Sequence, residues 1–391
     1  MGEKVPDDFA IREAMQVVRD PRKRLVAEFF WFHIDSLDRP SSTNPQALAL
    51  LRSGDWQRAR QLWKSEWQES PESDRGRRAL HNLAVFLHAR VVTREAGRNP
   101  LVKSLKQNAP LAPDHIQDWK DALSAWSHYF SDAAAWRHWR TRAKELGDKR
   151  SGEEFADELR EILPETLLQI NRDLARQYAG AGLGFAAGQH CQLIQKSGFA
   201  PETATLFCRT VVDGVKKRLL SESEAFQSRL KSSDIVEESQ KFDGIVRRDL
   251  ALLVQIDPQR AYGSGAARES VARSFHSAGL RLSSARDWMG SLTLIGKALQ
   301  LSDSATLRAD IEDSQSKIQY WRSIWLKAPR TCICCGRAPA EWTTFTQSPS
   351  RQERLIFYCA THADPSAEWQ VKEAVGRLWN SLPTPPPEPR R

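Results

Sequence analysis

Four side chains near the end of the chain have the types and the spacing of metal ligands. Cys332 and Cys335 form a C-x-x-C pair, and Cys359 and His362 form a C-x-x-H pair, with 23 residues between the pairs. Structural Zn²⁺ sites use four tetrahedral nitrogen and sulfur ligands, often in pairs with this spacing. We therefore expect one structural zinc ion held by these four residues, with no open position for a substrate.

Two alternatives accompany this prediction. The cysteines could be ordinary thiols and His362 a surface side chain, but four of the six cysteines fall in this short segment. Such clustering favours a metal site. Cys334 is left over, and it could replace Cys332 or Cys335 as a ligand or hydrogen-bond within the turn.

The elements around the four ligands must bring the two pairs together. Gly336 follows the first pair and permits a tight turn. Residues 341–346 and 354–358 are rich in threonine and aromatic or β-branched residues, which predicts a β-hairpin. A helical pattern follows the second pair, with Asp364 or Ser366 as its N-cap. A turn, a hairpin and a ligand pair at a helix start resemble a treble-clef zinc finger.

The chain contains no recognisable catalytic motif. His81 and His88 lie seven residues apart on one predicted helix face, but no cysteine or carboxylate ligand is close in sequence. Cys191 follows His190, and adjacent helix residues do not face each other. Residues 182–187 fit a loose dinucleotide-binding fingerprint, but that motif needs a preceding strand, and the preceding pattern is helical. We therefore predict that the protein is not an enzyme.

Most of the remaining chain has helical periodicity. The stretch that ends at Pro71 contains two short helical runs that meet at Gly54. The second run carries Trp56, Ala59 and Trp63, whose spacing of three and four residues places them on one helix face. Pro71 ends this run.

This pattern resembles a tetratricopeptide repeat (TPR), a helix–turn–helix unit. Leu50 matches the first helix, and Glu66 departs from the motif, which has a small residue there. Three further stretches match the motif in part, the first of them interrupted by an insertion over residues 97–117. The matching residues are Leu83, Ala84, Leu87, Trp119, Ala122, Trp126 and Phe130; then Leu174, Ala175, Tyr178, Gly182, Ala187, Cys191 and Ile194; then Phe275, Gly279, Leu282, Trp288, Ala298 and Leu299.

The resemblance implies a mainly α fold, an α-solenoid of helical hairpins with a small C-terminal zinc-binding β-hairpin and helix module. A polar break near residue 150 predicts the first boundary, and the change of composition after Pro329 predicts the second. The expected regions are 1–150 and 151–328, each with two TPR-like units; 329–381, the zinc module; and 382–391, a disordered proline-rich tail.

Composition restricts the function classes. The net charge is +8, from 57 basic and 49 acidic residues. The signs are interspersed, which favours solvated helix faces over a phosphate-binding or acidic-partner patch. Eight of the 14 tryptophans lie between Trp31 and Trp139. We expect them to be core residues, with an aromatic-lined ligand groove as the alternative.

We expect a cytoplasmic location without a membrane contact. No apolar run approaches the ~20 residues that span a bilayer. The N-terminal residues lack the basic and then apolar pattern of a signal peptide, and Asp7 occupies a position where a lipidation motif has serine or threonine. Six cysteines in a large chain without such a signal suit thiols or metal ligands.

Members of the resembled repeat family mostly hold peptides or other domains. The sequence therefore predicts a non-enzymatic scaffold or adaptor that binds a protein partner through its helical surface. Zinc would either add a second contact or only stabilise the C-terminal module. The alternative is a nucleic-acid-binding protein that uses its basic surface and the zinc module. First helices of successive hairpins line the concave face of a solenoid. The exposed partner-binding residues expected there are Arg52, Asn82, Asn171 and Arg172.

Overall fold

The fold is that of a computed structural model, in which the chain is mainly α. The residues that the structure describes are 19–33, 44–98, 110–147, 152–230, 234–327, 334–335, 342–347, 353–358 and 368–380. Within these residues no helix combines the length and the apolar character that a bilayer crossing needs.

The described residues contain fourteen α-helices and two β-strands. In chain order they are α1 (Pro21–Phe29), α2 (Asn44–Arg52), α3 (Trp56–Glu69), α4 (Asp74–Arg98), α5 (Pro113–Ser131), α6 (Ala133–Leu146), α7 (Gly152–Ala181), α8 (Gly184–Gln195), α9 (Pro201–Arg229), α10 (Ile235–Ile256), α11 (Ser264–Ser284), α12 (Trp288–Leu301), α13 (Ala305–Lys327), β1 (Trp342–Gln347), β2 (Glu353–Tyr358) and α14 (Glu368–Asn380).

The chain forms two compact units, and each contains two separate segments. The first unit comprises Met1–Glu224 and Phe242–Ala267, and the second comprises Ala225–Lys241 and Arg268–Arg391. Helices on both sides of residue 150, where the sequence predicts a boundary, therefore belong to the first unit.

Three helix pairs are joined by turns with the same hydrogen-bond pattern. A residue with positive φ follows the first helix of each pair: Gly54 (84°), Gly182 (82°) and Arg286 (67°). Its N–H bonds to the carbonyl three residues back, and the next N–H bonds to the carbonyl five residues back, at 2.8–3.1 Å. This arrangement is the Schellman cap. The two glycines are the turn residues that the sequence predicts, whereas Arg286 carries no such signal.

The helix pairs pack through the small and aromatic residues that the sequence pattern aligns. Helix α2 contacts α3, α4 contacts α5, and α7 contacts α8. Ala59 and Trp63 of α3 are fully buried, and so are Ala122 and Trp126 of α5. In the second unit, Ser291 of α12 donates a hydrogen bond to the Gly279 carbonyl of α11 at 2.7 Å. Small residues thus occupy equivalent positions in three helix pairs.

An aromatic core forms where α1, α5 and α6 meet. Phe29 is fully buried, and its ring stacks at 5.4 Å on Trp126 and at 5.8 Å on both Phe130 and Trp136. Stacked and edge-to-face rings add about 0.5–1.5 kcal/mol per pair beyond the area that they bury. Five of the eight tryptophans between residues 31 and 139 are no more than 2% exposed, which confirms the prediction that most of them are core residues.

Glu66 occupies a position where the resembled repeat has a small residue. It lies on α3 with 4% of its surface exposed. Arg75 of α4 donates a hydrogen bond to its carboxylate. An ion pair therefore replaces the small-residue contact between α3 and α4.

Helix α5 begins earlier than the sequence pattern predicts. The expected start was near Asp118, at the end of the insertion. The helix instead begins at Pro113, a favourable first position because proline needs no N–H partner there. Asp118 and Trp119 consequently lie more than a turn inside the helix.

The C-terminal part of the second unit contains a two-stranded antiparallel sheet. Strand β1 pairs with β2 so that Trp342 lies opposite Tyr358 and Gln347 lies opposite Glu353. Strand β2 also contacts α13. The start of β1 and the end of β2 are therefore neighbours at the open end of the strand pair.

Candidate functional site

Two of the four expected partner-binding residues are buried, so the prediction that they are exposed is wrong. Asn82 of α4 and Asn171 of α7 both have 0% exposure. Asn82 accepts a hydrogen bond from the His33 backbone N–H at 2.7 Å and donates one to the His33 carbonyl at 3.0 Å. Asn171 Oδ1 lies 3.0 Å from Nδ1 of His190. Both amides therefore bind a residue of the same unit rather than a partner: Asn82 the backbone of His33, and Asn171 the buried ring of His190.

The other two expected residues, Arg52 and Arg172, are not buried. Arg52 is exposed in the last turn of α2. Arg172 is half-buried, donates hydrogen bonds to Asp173 at 2.9 and 3.0 Å, and lies 5.0 Å above the Phe207 ring. The described contacts of the four residues therefore go to separate neighbours.

The first candidate site is a sealed polar centre around Glu95, which we call the Glu95 cluster (Glu95, His115, Trp119, Asn171, Tyr178 and His190). One carboxylate oxygen lies 2.6 Å from His115 Nε2, 3.3 Å from Trp119 Nε1 and 3.4 Å from His190 Nε2. The other oxygen accepts a hydrogen bond from the Tyr178 hydroxyl at 2.5 Å. Helices α4, α5, α7 and α8 each contribute to this centre.

The donors of the Glu95 cluster keep its carboxylate ionised. Burial raises the pKa of Glu95, but hydrogen bonds from His115, His190 and Tyr178 and the charge of His190 outweigh it, so the pKa lies below its ordinary value. Every member of the cluster is at most 3% exposed. A substrate in solution therefore has no route to these groups in this conformation, and the cluster fixes four helices against one another.

The second candidate site is an open groove between α3, α4 and α5, with a volume of about 190 Å³. Its floor is apolar, and its rim carries charged and hydroxyl groups. The residues that line this groove are Arg60, Lys64, Trp67, Leu83, Leu87, Asp121, Ser124 and Ala125. Ligand pockets for small molecules usually exceed about 300 Å³, so the groove suits one or two side chains of a polypeptide.

Ion pairs fix the rim of this groove. Arg60 bonds to Asp121 and lies 3.4 Å from Asp118, a carboxylate that is 5% exposed. Two arginines of α4 share that carboxylate, since Arg90 and Arg94 approach it at 3.3 and 3.0 Å. Lys64, in contrast, is exposed and makes no ion pair with any described residue. The groove therefore offers one uncommitted positive charge beside its apolar floor.

The predicted zinc ligands fall mostly outside the described residues. Cys332, Cys359 and His362 lie outside them, while Cys334 and Cys335 form a turn with Cys335 exposed. Among the described residues there is no group of three or more side chains that could hold a metal ion. The zinc prediction accordingly stays a prediction.

Sequence reasoning missed the Glu95 cluster, although a signal was present. Ala84, His88, Val91 and Glu95 recur at helical spacing along one face of α4. A carboxylate that continues an apolar face marks a buried charge with partners from other helices. Those partners come from α5, α7 and α8, so the pattern of α4 alone could not name them.

Comparisons with models of known protein families, with curated proteins and with solved structures found no match.

Proposed function

We propose that this protein is a non-enzymatic adaptor that holds a segment of a partner protein in the groove between α3, α4 and α5. One observation carries the proposal: the groove joins an apolar floor to an uncommitted Lys64 ammonium. Leu83, Leu87 and Ala125 form the floor with 4%, 1% and 4% exposure. Hot spots in protein interfaces combine buried apolar anchors with a polar rim.

The proposed occupant is a polypeptide segment with an apolar side chain next to an acidic one. The apolar side chain would contact Trp67, which is half-buried and packs edge-to-face on His128 at 5.5 Å. The acidic side chain would pair with Lys64. Arg60 is already committed to two carboxylates, so it shapes the rim rather than supplying the charge for the partner.

Matched variants test this proposal. Lys64→Glu reverses the charge in the groove, and Lys196→Glu reverses an exposed charge of the same unit outside it. The tagged full chain is purified from its native cells with quantitative mass spectrometry of the proteins that accompany it. We expect Lys64→Glu and Trp67→Ala to lose a set of proteins that the unchanged chain and Lys196→Glu retain. Equal recovery with all four chains would contradict the groove.

The nucleic-acid alternative has a separate test. Phosphate contacts make affinity fall steeply with salt. If the full chain shifts DNA or RNA in a gel, and the shift weakens steeply between about 50 and 200 mM salt, nucleic-acid binding replaces the adaptor function. We expect no such shift.

We also propose that the helix pairs are TPR-like repeats arranged as a solenoid. The shared Schellman caps and the equivalent buried positions of α3 and α5 support this interpretation. A compact chain of this length has a radius of gyration of about 21 Å. Small-angle scattering should give a clearly larger value, and a value near 21 Å would exclude the solenoid.

For the C-terminal module we propose one structural zinc ion held by Cys332, Cys335, Cys359 and His362. Cys359 directly follows β2, whose last residue pairs with the first residue of β1. The chain from Cys335 enters the strand pair at that same end, so the register suits two ligand pairs that meet there. Metal analysis of reduced protein should find about one zinc, and Cys335→Ala or His362→Ala should remove it.

A further inference from the structure

A cavity of about 350 Å³ opens in the first unit beside the first turns of α4, whereas Glu95 lies near the other end of that helix. We call it the basic pocket. Four parts of the chain meet there: the residues after α1, the first turns of α4, the end of α5 and the first turns of α6. The residues that line it are His33, Asp74, Arg77, Arg78, Tyr129, Ala134, Ala135, Arg137, His138 and Thr141.

Positive charge exceeds negative charge in this lining, with three arginines against the single carboxylate of Asp74. Arg77 is fixed in place, since it donates hydrogen bonds to Asp132 at 2.7 Å and to Asp74 at 3.2 Å. The guanidinium of Arg137 is exposed and forms no ion pair with any residue that the structure describes. The pocket therefore has one guanidinium, that of Arg137, available to a ligand.

Neutral imidazoles add hydrogen-bonding groups to the pocket without adding a positive charge that would repel the neighbouring arginines. The His33 ring lies 4.2 Å from that of His81 and 5.0 Å from that of His138, centre to centre. Burial, together with the charges of His81, His138 and Arg78, lowers the pKa of His33 to about 2. Desolvation and the charge of Arg78 also lower the pKa of His138. Each ring then carries one N–H donor at neutral pH.

A buried hydroxyl lies at the same cavity. Tyr129 is 3% exposed, and its oxygen accepts a hydrogen bond from Trp139 Nε1 at 2.8 Å. Its own O–H can still donate, because a phenol both accepts and donates. Thr141 lines the cavity with a second hydroxyl. Donors from four separate elements therefore surround one cavity.

We propose that the basic pocket binds the phosphate group of a phosphate monoester, carried either by a small molecule or by a phosphorylated side chain of a partner protein. Such a group carries a charge of about −1.5 to −2 and three strong acceptor oxygens. Its negative charge suits a lining in which the Arg137 guanidinium has no ion pair with a described residue. Arginine binds phosphate through two parallel hydrogen bonds, which gives Arg137 a specific role. The cavity is large enough to admit the group that carries the phosphate.

Calorimetric titration of the full chain tests the site with two variants on one helix. Arg137→Gln removes the exposed guanidinium from the pocket. Arg140→Gln removes the same charge three residues along α6, where Arg140 pairs with Asp157 instead. The probes are phosphoserine, inorganic phosphate and one serine peptide with and without its phosphate. We expect Arg137→Gln to weaken phosphoserine binding roughly tenfold to a hundredfold, and Arg140→Gln to change it less than about threefold.

The outcomes separate the sources of the phosphate. Phosphoserine binding as tight as the phosphopeptide identifies a small-molecule site, and a tighter phosphopeptide identifies a partner side chain. The proposal fails if none of the phosphorylated probes binds at millimolar concentration. It also fails if Arg140→Gln weakens binding as much as Arg137→Gln, because the chain would then sense only general positive charge. Neither result depends on Lys64, so failure of the groove and failure of the pocket are distinguishable.

Discussion

The Glu95 cluster and the basic pocket share two helices, α4 and α5, and both contain imidazoles close to charged groups. In the cluster one carboxylate faces four donors, and all members are buried. In the pocket three guanidinium groups and one carboxylate line an open cavity. Similar side chains thus form a closed structural centre in one place and line an accessible cavity in the other.

The difference lies in whether each charge has its partners within the protein. A buried charge with all its partners holds helices together, and removal of one partner is costly. An accessible guanidinium such as that of Arg137, which has no ion pair with a described residue, is available to a ligand. We therefore expect substitutions in the cluster to change stability and substitutions in the pocket to change binding.

The largest effect is expected from Glu95→Gln. The amide cannot serve as acceptor for all four donors, and any charge on a neighbouring histidine would lose its counter-charge. Breaking a buried pair in this way costs about 3–5 kcal/mol. Chemical denaturation followed by circular dichroism measures the loss. Glu161→Gln on α7, which is exposed, is the matched control and should stay within about 0.5 kcal/mol of the unchanged chain.

A smaller loss is expected from Tyr178→Phe. This change removes one hydrogen bond to the Glu95 carboxylate and keeps the ring that stacks on His190 at 5.5 Å. Hydrogen bonds to charged groups contribute about 1.5–3 kcal/mol. Tyr320→Phe, at a ring that is 52% exposed, provides the control. Equal unfolding free energies for both variants would show that the Glu95 cluster is not the closed centre described above.

Acid should separate the two regions by pH window. Burial lowers the pKa of His81, beside the pocket, to about 4. The unfolded chain therefore binds a proton near pH 6.5 that the folded chain refuses, and stability falls as pH drops from 6.5 towards 4. At about 1.4 kcal/mol per pH unit, this loss reaches roughly 2 kcal/mol at pH 5. His81→Gln should reduce the acid loss by that amount, while a remainder persists from His33, His88 and His138, whose pKa values are also lowered.

The Glu95 contribution should respond in a lower window. Its folded pKa is depressed, so its stabilisation is complete above the ordinary value of 4.5 and is lost as pH falls through the folded pKa. The difference in unfolding free energy between Glu95→Gln and the unchanged chain should stay constant from pH 6.5 to 5 and shrink below 4.5. If this difference already shrinks at pH 6, the acid sensitivity in that range belongs to the Glu95 cluster, and the prediction is wrong.

The smallest effect on stability is expected from Arg137→Gln, which should stay within about 0.5 kcal/mol of the unchanged chain. The guanidinium makes no described ion pair, so its loss leaves no partner uncompensated. A destabilisation above about 1 kcal/mol would show that this arginine has a structural partner, and the contrast between pocket and cluster would weaken.

The sequence predicted much of the helical framework. The spacing of Trp56, Ala59 and Trp63 placed one buried face, and the glycines at 54 and 182 marked two turns, because both signals are local. The mainly α character follows from the same periodicity. The start of α5 was misplaced because Trp119 and its neighbours repeat a pattern that elsewhere begins a helix.

The polar centres could not be predicted in the same way. Asn82 and Asn171 were expected at the surface because the first helices of successive hairpins line the concave face of a solenoid. They are buried because His33 and His190, distant in sequence, supply their partners. The Glu95 cluster likewise needs residues up to 95 positions apart, from His190 back to Glu95. Such contacts depend on how helices pack, which local periodicity does not specify.

The adaptor function is tested most directly by photo-crosslinking in native cells. A photoreactive amino acid replaces Ser124, an exposed residue of the groove, and in a second chain it replaces Ser316, an exposed residue of α13. We predict a covalent adduct with a defined protein from position 124, absent from position 316 and abolished when Lys64→Glu is added. The same adducts from both positions, or an adduct at 124 that survives Lys64→Glu unchanged, would contradict the account.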